Sequence, residues 1–221
     1  MRMENRSILI FVKAPVAGFA KTRLASVLTP VQAAQLYQAM AEDTYKVACQ
    51  VPGSRVYVAY HPHPQSAEPR WLLDTSQGGW FNQEGEELGE RLQRATARVF
   101  AASPHPLVVI GSDLPGLTPT LLEKAFGLLR AAPVVLGPSA DGGYYLIGLR
   151  QPQEALFQEI RWSEPTVLDQ TLDRVRALHL DYKLLPRRAD LDTSEDFQRL
   201  RNDPALLALE FRRTSALLRK L

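Results

Sequence analysis

Ile8-Leu-Ile-Phe-Val12 is an unbroken run of apolar, mostly β-forming residues, and a cation-bearing loop follows at once: Lys13-Ala-Pro-Val-Ala-Gly-Phe-Ala-Lys-Thr-Arg23. An uninterrupted apolar run of this length reads as a strand buried on both faces, the signature of a parallel sheet covered by helices. Leu107-Val-Val-Ile110 repeats the pattern, with Gly111-Ser-Asp-Leu-Pro115 at its carboxyl end, and Val56–Tyr60, Val134–Leu136, Tyr144–Leu149 and Tyr182–Leu185 read as further strands. Between them lie helical stretches. Thr29-Pro30 opens one that carries Leu36, Met40 and Val47 at helical spacing. Glu86–Ala102 places Leu88, Leu92 and Val99 on one face, Thr118-Pro119 opens another ending near Arg130, and Ser163–Leu178 is a fourth. Strands alternating with helices predict an α/β fold: a single domain over 1–221 with an open mixed, mostly parallel sheet and helices on both faces. The short step from Val134 to Leu149 predicts one antiparallel strand. Residues 77–85, around Trp80 and Phe81, read as irregular and polar.

The chain has 221 residues, 45% of them hydrophobic and 23% charged, with a net charge of +2. These are ordinary globular values, and the charge is too small to argue for nucleic acid. No apolar stretch approaches a membrane span, and Ile8–Val12 is too short for a signal-peptide core, so a cytoplasmic protein is expected. The single cysteine, Cys49, builds neither a disulfide nor a zinc site and reads as a buried thiol. Oligomeric state is not legible.

In open α/β sheets ligands bind beyond the carboxyl ends of the strands, and the unusual loops here all follow strands. The first gathers Lys13, Lys21 and Arg23 with Gly18, whose missing side chain lets backbone N–H groups approach a polyphosphate. A plain solvated loop is the alternative. It is not a P-loop, because Ala20 stands where glycine is required before Lys21-Thr22, and no Gly-x-Gly-x-x-Gly pattern exists. Asp113 leaves the end of a buried strand and is a candidate ligand for Mg²⁺ or Mn²⁺; it equally reads as the cap of the next turn. Asp190-Leu-Asp192-Thr193 puts two carboxylates on one side of an extended segment, and Asp192-Thr-Ser-Glu195 also resembles a helix N-terminal box. Gly137-Pro-Ser-Ala-Asp141-Gly-Gly143 carries Asp141 on a sharp turn, a hairpin or a cleft residue. Gln83 and Gly85 precede a helix whose start faces a phosphate or a base edge. His61-Pro-His63-Pro reads as a solvated loop rather than a metal site. Trp162 reads either as core or as the wall of an acceptor pocket. The basic C-terminal segment, with Arg212, Arg213, Arg219 and Lys220 among leucines, reads as a docked terminal helix.

Four motifs in order carry a family resemblance: Phe11-x-Lys13-x-Pro15-x-x-Gly18-x-x-Lys21-Thr-Arg-Leu24, Gly111-Ser-Asp-x-Pro115, Gly137-Pro-x-x-Asp-Gly-Gly-Tyr-Tyr-Leu-Ile-Gly148 and Asp190-x-Asp-Thr193. Over most of the chain this resembles a bacterial glycosyltransferase family once labelled a domain of unknown function, with members named for arsenosugar biosynthesis. That family is similar to the GT-A nucleotide-diphospho-sugar transferases and to the guanylyltransferases that activate phospholactate and the molybdenum cofactor. The resemblance implies nucleotide binding by Lys13, Gly18, Lys21 and Arg23; Pro15 in the same loop, with Gln83 and Gly85, joins them as nucleotide-binding candidates read from the residues. It implies Mg²⁺ or Mn²⁺ on Asp113, Asp190 and Asp192. Sugar transferases of this fold often carry Asp-x-Asp after the central strand, whereas this chain has Gly111-Ser112-Asp113, closer to the guanylyltransferases.

Three readings stand at this point. The first is glycosyl transfer from a nucleotide-diphosphate sugar to a small-molecule acceptor, with Asp113 and Asp141 as catalytic residues and Asp141 as base or acceptor-orienting group. The second is nucleotidyl transfer from an NTP to a phosphorylated acceptor, releasing pyrophosphate. The third is a silent nucleotide-binding module.

Overall fold

The structure, a computed structural model, describes residues 6–72 and 79–221. Among the described residues seven strands form one sheet in the order β3-β2-β1-β4-β6-β5-β7: β1 Arg6–Lys13, β2 Ser54–His61, β3 Trp80–Asn82, β4 Leu107–Ile110, β5 Val134–Pro138, β6 Tyr144–Leu149 and β7 Tyr182–Leu184. β1 pairs in parallel with β2 on one side and β4 on the other, Ile8 facing Val56 and Val108. β6 alone runs antiparallel, wedged between β4 and β5. The tight Asp141-Gly142 turn explains it, because two adjacent strands joined by so short a link must reverse direction. β3 corrects the reading of 77–85 as irregular: Trp80–Asn82 adds to β2 as a parallel edge strand, while 77 and 78 lie outside the described residues.

The described residues form six α-helices: α1 Pro30–Cys49, α2 Leu88–Ala102, α3 Pro119–Leu129 and α4 Val167–Ala177 cover the sheet, α5 Ser194–Asn202 packs against the loop after β1, and α6 Arg212–Leu218 packs on α1. α1 starts as its sequence dictates. The Thr29 hydroxyl accepts from the Gln32 amide, Gln32 answers the Thr29 amide, and Pro30 fills the first turn. Alternate residues of β1 go to opposite layers. Ile8, Ile10 and Val12 pack with Tyr37, Ala41 and Phe126 from α1 and α3, whereas Leu9 packs with Leu92, Val99 and Leu172 from α2 and α4. Leu88 departs from its expected inward face and is exposed at the start of α2, where Ala95 and Phe100 join Leu92 and Val99 instead. Cys49 ends α1 half-buried rather than enclosed.

A third apolar cluster bears most on function. Leu24, Leu36, Met40, Leu191, Phe197 and Leu200 pack together beyond the sheet's carboxyl edge. This joins the loop after β1, the N-terminal half of α1 and the segment after β7. The C-terminal segment docks as expected, although its anchors differ: Phe211 is fully buried, the Thr214 amide and hydroxyl donate to Asp43 at 2.8 and 3.0 Å, and Leu209 stands in solvent. Among the described residues no helix is long and apolar enough to cross a membrane.

Candidate functional site

Each candidate polar residue is held by an apolar neighbour in sequence. Buried Ala20 and Leu24 bracket Lys21 and Arg23, Leu114 follows Asp113, and Leu191 separates Asp190 from Asp192. Burying a leucine side chain contributes roughly 1.5–3 kcal/mol, enough to fix a loop whose other residues face solvent. The Leu191 amide donates to the Asp113 carbonyl at 2.9 Å, which sets the last loop against the end of β4.

Lys21 lies at the centre. Its ammonium stands 2.5 Å from Asp113 Oδ1 and 3.5 Å from Asp192 Oδ1, and it donates to the Leu191 carbonyl at 2.5 Å. Arg23 Nη1 donates to Asp192 Oδ2 at 2.8 Å. Lys21 reaches inward because its backbone is left-handed, φ +53°, at the start of a short 3₁₀ turn over Thr22–Leu24. Gly18, at φ +78°, is exposed, and nothing lies within 4 Å of where a Cβ would stand, so its backbone is open to a ligand. Lys13 is exposed at the end of β1. Its amide donates to the Tyr37 hydroxyl at 2.6 Å, as does the Ser112 hydroxyl at 2.9 Å, so one α1 side chain ties the ends of β1 and β4 together. Burial, and then the Asp113 charge, keep the Tyr37 hydroxyl protonated, well above the usual range.

Asp190 completes the acidic group. Its Oδ1 is closed off from solvent and has no hydrogen-bond partner among the described residues. Burial first, then the charges of Asp113 and Asp141, push its carboxyl up to about 7 against the opposing pull of Lys21. Such a set of oxygen donors, short of positive charge, suits a hard divalent cation. Asp113, Asp190 and Asp192 are thus brought to one place. Among the described residues, however, no three His, Cys, Asp or Glu side chains form a ready metal cage, and Lys21 holds the space between Asp113 and Asp192.

Asp141 sits at the β5–β6 turn. Its Oδ1 accepts from the Ser139 hydroxyl and from the Gly143 amide at 3.0 Å, so it shapes the turn while bearing electrostatically on Asp190. Gly142 is obligatory there, because at φ +91° a Cβ would meet the Pro165 carbonyl oxygen at 1.8 Å. Gln83 holds the sheet edge: its Nε2 donates to the Ala59 carbonyl at 2.9 Å and the Val12 carbonyl at 3.4 Å. Gly85, at φ +126°, presents its carbonyl to Arg91 Nε at 2.9 Å. Trp162 meets Tyr144 edge-on and lies over Gly89, where a Cβ would approach its Nε1 to 2.4 Å; it is half-buried and packs against the core. The helix box belongs to Thr193 with Asp196, one residue later than the Asp192–Glu195 spacing.

One feature escaped the sequence reading. Phe19 stacks on His61 at 5.3 Å and meets His63 at 5.1 Å, so the two histidines back the first loop. Burial, then Arg91 and Lys13, hold His61 below its ordinary range, which keeps the stacked ring neutral. The only signal was an aromatic residue within a cationic loop.

Residues 44–164 match the model of a family described as an uncharacterised protein conserved in bacteria, DUF2064. The chain belongs to this family. Phosphoenolpyruvate guanylyltransferases from Chloroflexus aggregans and Chloroflexus aurantiacus are similar to it. They are 29% identical over 147 residues and 30% identical over 144, covering 63% and 62% of this chain and 70% and 67% of theirs. A crystal structure from Desulfovibrio desulfuricans G20, described as a nucleotide-diphospho-sugar transferase, is 30% identical, covers 97% of both chains and superposes with a TM-score of 0.83. A Mycobacterium tuberculosis structure solved with manganese shares the fold at 15% identity, covering 89% of this chain and 97% of its own, with a TM-score of 0.58. This DUF2064 chain is therefore a transferase with the mixed sheet of the nucleotide-diphospho-sugar transferases. That sets aside the reading as a silent binding module.

Proposed function

We propose that this DUF2064 protein transfers a glycosyl group from a nucleotide-diphosphate sugar to a small-molecule acceptor, assisted by Mg²⁺ or Mn²⁺. The observation that carries the reading is the convergence of Lys21, Arg23, Asp113, Asp190 and Asp192 from three distant segments at one sheet edge. Asp113, Asp190 and Asp192 are the residues that would hold the cation, which supplies positive charge to the departing diphosphate. Lys13 and the open backbone at Gly18 meet the phosphates, and Arg23 and Lys21 add charge where the leaving group becomes more negative. Pro15 stiffens the same loop. Gln83 and Gly85 shape the sheet edge where the nucleoside end lies. Asp141, fixed by its turn beside Asp190, orients the acceptor hydroxyl.

A second reading, nucleotidyl transfer from an NTP, is favoured by the lone acid in Gly111-Ser112-Asp113 and by the two guanylyltransferase relatives. The products separate the two. Incubation with a panel of nucleotide sugars and Mn²⁺ is expected to release nucleoside diphosphate, to stop with EDTA and to resume with Mg²⁺ or Mn²⁺. In Asp113→Asn the rate falls on the order of a hundredfold or more, as for loss of one electrostatic stabiliser. Pyrophosphate formed from GTP or CTP, with nucleotide sugars untouched, replaces this reading by the second.

A further inference from the structure

Beside the acids lies a cavity of about 450 Å³ that the donor reading does not use. Asp190 and Leu191 form the wall it shares with the candidate metal site, and Ala140, next to Asp141, forms another part. Leu114, Pro115 and Leu206 give it an apolar side. Arg187, Arg188 and Arg199 also line it, with Asp196 as the other acid. Those charges do not cancel. Asp196 already accepts from the Thr193 amide and hydroxyl, and it pairs with Arg199 at 2.5 Å. Arg187 and Arg188 are exposed residues, and the fold fixes their backbone: the Arg188 amide donates to the Pro138 carbonyl at 3.0 Å, and Arg188 bridges Ser139. Arg187 and Arg188 therefore line a pocket of small-molecule size that also has apolar residues in its wall.

We infer that this cavity is the acceptor subsite and that it selects a small anionic molecule, one whose phosphate or carboxylate group is gripped by Arg187 and Arg188 while its carbon body rests on Leu114, Pro115 and Leu206. The naming of this molecule as acceptor rests on the proposed function; the anion site does not. A guanidinium matches the two oxygens of a phosphate or carboxylate, and such charge-assisted hydrogen bonds are the strong ones. The shared wall at Asp190 puts the bound molecule next to the acids, where a hydroxyl or phosphate oxygen on it meets the donor.

Three matched probes test this by calorimetry: glycerol 3-phosphate, glycerate and glycerol. Each is titrated into the full chain alone and with saturating nucleoside diphosphate and Mn²⁺. At least one anionic probe is expected to bind more than tenfold tighter than glycerol, and which one does so separates phosphate from carboxylate recognition. In the Arg187→Gln/Arg188→Gln double variant its dissociation constant rises tenfold to a hundredfold, while the nucleoside diphosphate binds within twofold of the unaltered chain. Glycerol binding as tightly as both anions overturns the inference. So does unchanged probe affinity in the double variant, or an equal loss of nucleotide affinity, which would assign the arginines to the donor. If the anion binds and the variant loses it although no nucleotide binds, the pocket stands and the donor reading fails.

Discussion

Replacing Lys21 with Met keeps the length of the side chain and removes its charge. The Lys21 side chain is 3% exposed, whereas Asp113 and Asp192 are 45% and 43% exposed. Breaking a fully buried pair costs about 3–5 kcal/mol and an exposed pair contributes about 0–1, so a buried ammonium with two half-open partners falls between them, at about 2–3 kcal/mol. In a chain of this size each kcal/mol moves the melting temperature by roughly 2–4 °C, so the variant is expected to melt about 5–10 °C lower. Calorimetry at low ionic strength with EDTA is the measurement. A millimolar divalent cation is then expected to raise the melting point of Lys21→Met more than that of the unaltered chain, because the ammonium no longer competes for Asp113 and Asp192. A cation at a hundred times its dissociation constant stabilises by about 2.7 kcal/mol, so it offsets most of the loss. A fall under about 2 °C, or equal stabilisation of both proteins by the cation, refutes the view that Lys21 holds these loops together.

Glycine positions give a matched pair. Gly142→Ala, where the new Cβ would lie 1.8 Å from the Pro165 carbonyl oxygen at a φ of +91°, is expected to lower stability by more than about 3 kcal/mol in urea unfolding. Gly127→Ala, exposed within α3 with nothing within 4 Å, is expected to raise it by about 0.5–1 kcal/mol. Asp43→Ala strips the buried partner of the Thr214 amide and hydroxyl and is expected to cost about 2–3 kcal/mol; Arg213→Ala leaves the buried Glu42 carboxylate with only its Gln38 partner and is expected to cost less, about 1–2 kcal/mol. Thermal melts of these two variants check that ordering.

The sheet was legible because its central strands are buried on both faces, which forces apolar runs such as Ile8–Val12 and Leu107–Ile110. β3 was not, because three edge residues beside a polar loop leave neither alternation nor a long run. The acids were legible as a group only through motif order. Nothing local indicated that Lys21 takes a left-handed conformation and turns toward Asp113 and the Leu191 carbonyl. That depends on Leu24 and Leu191 sharing an apolar cluster although they are far apart in the chain. Arg187 and Arg188 carried no reading from the sequence; the available signal was a basic pair between the last strand and Asp190-x-Asp192. Gln83 was legible only as a polar residue before a helix; that its amide holds two strand carbonyls is a tertiary fact.

Lys21 links stability to chemistry. The site proposed to receive a cation and a diphosphate carries four carboxylates at one sheet edge, and with no compensating charge their repulsion would drive apart the loops that bear them. One buried ammonium, hydrogen-bonded to the carbonyl between two of the acids, holds them together. Asp190 makes no ion pair with it at bonding distance, and its Oδ1 is enclosed and unpartnered among the described residues. The positive charge still lacking falls on the wall shared with the arginine-lined cavity, so the same residue faces the proposed donor on one side and the proposed acceptor on the other. Asp190→Asn is isosteric and removes only charge. It is therefore expected to leave the melting point unchanged or raised, because a buried carboxylate crowded by like charges is lost, while metal-dependent turnover falls. A stability loss as large as that of Lys21→Met would mean that Asp190 serves the fold rather than the ligand.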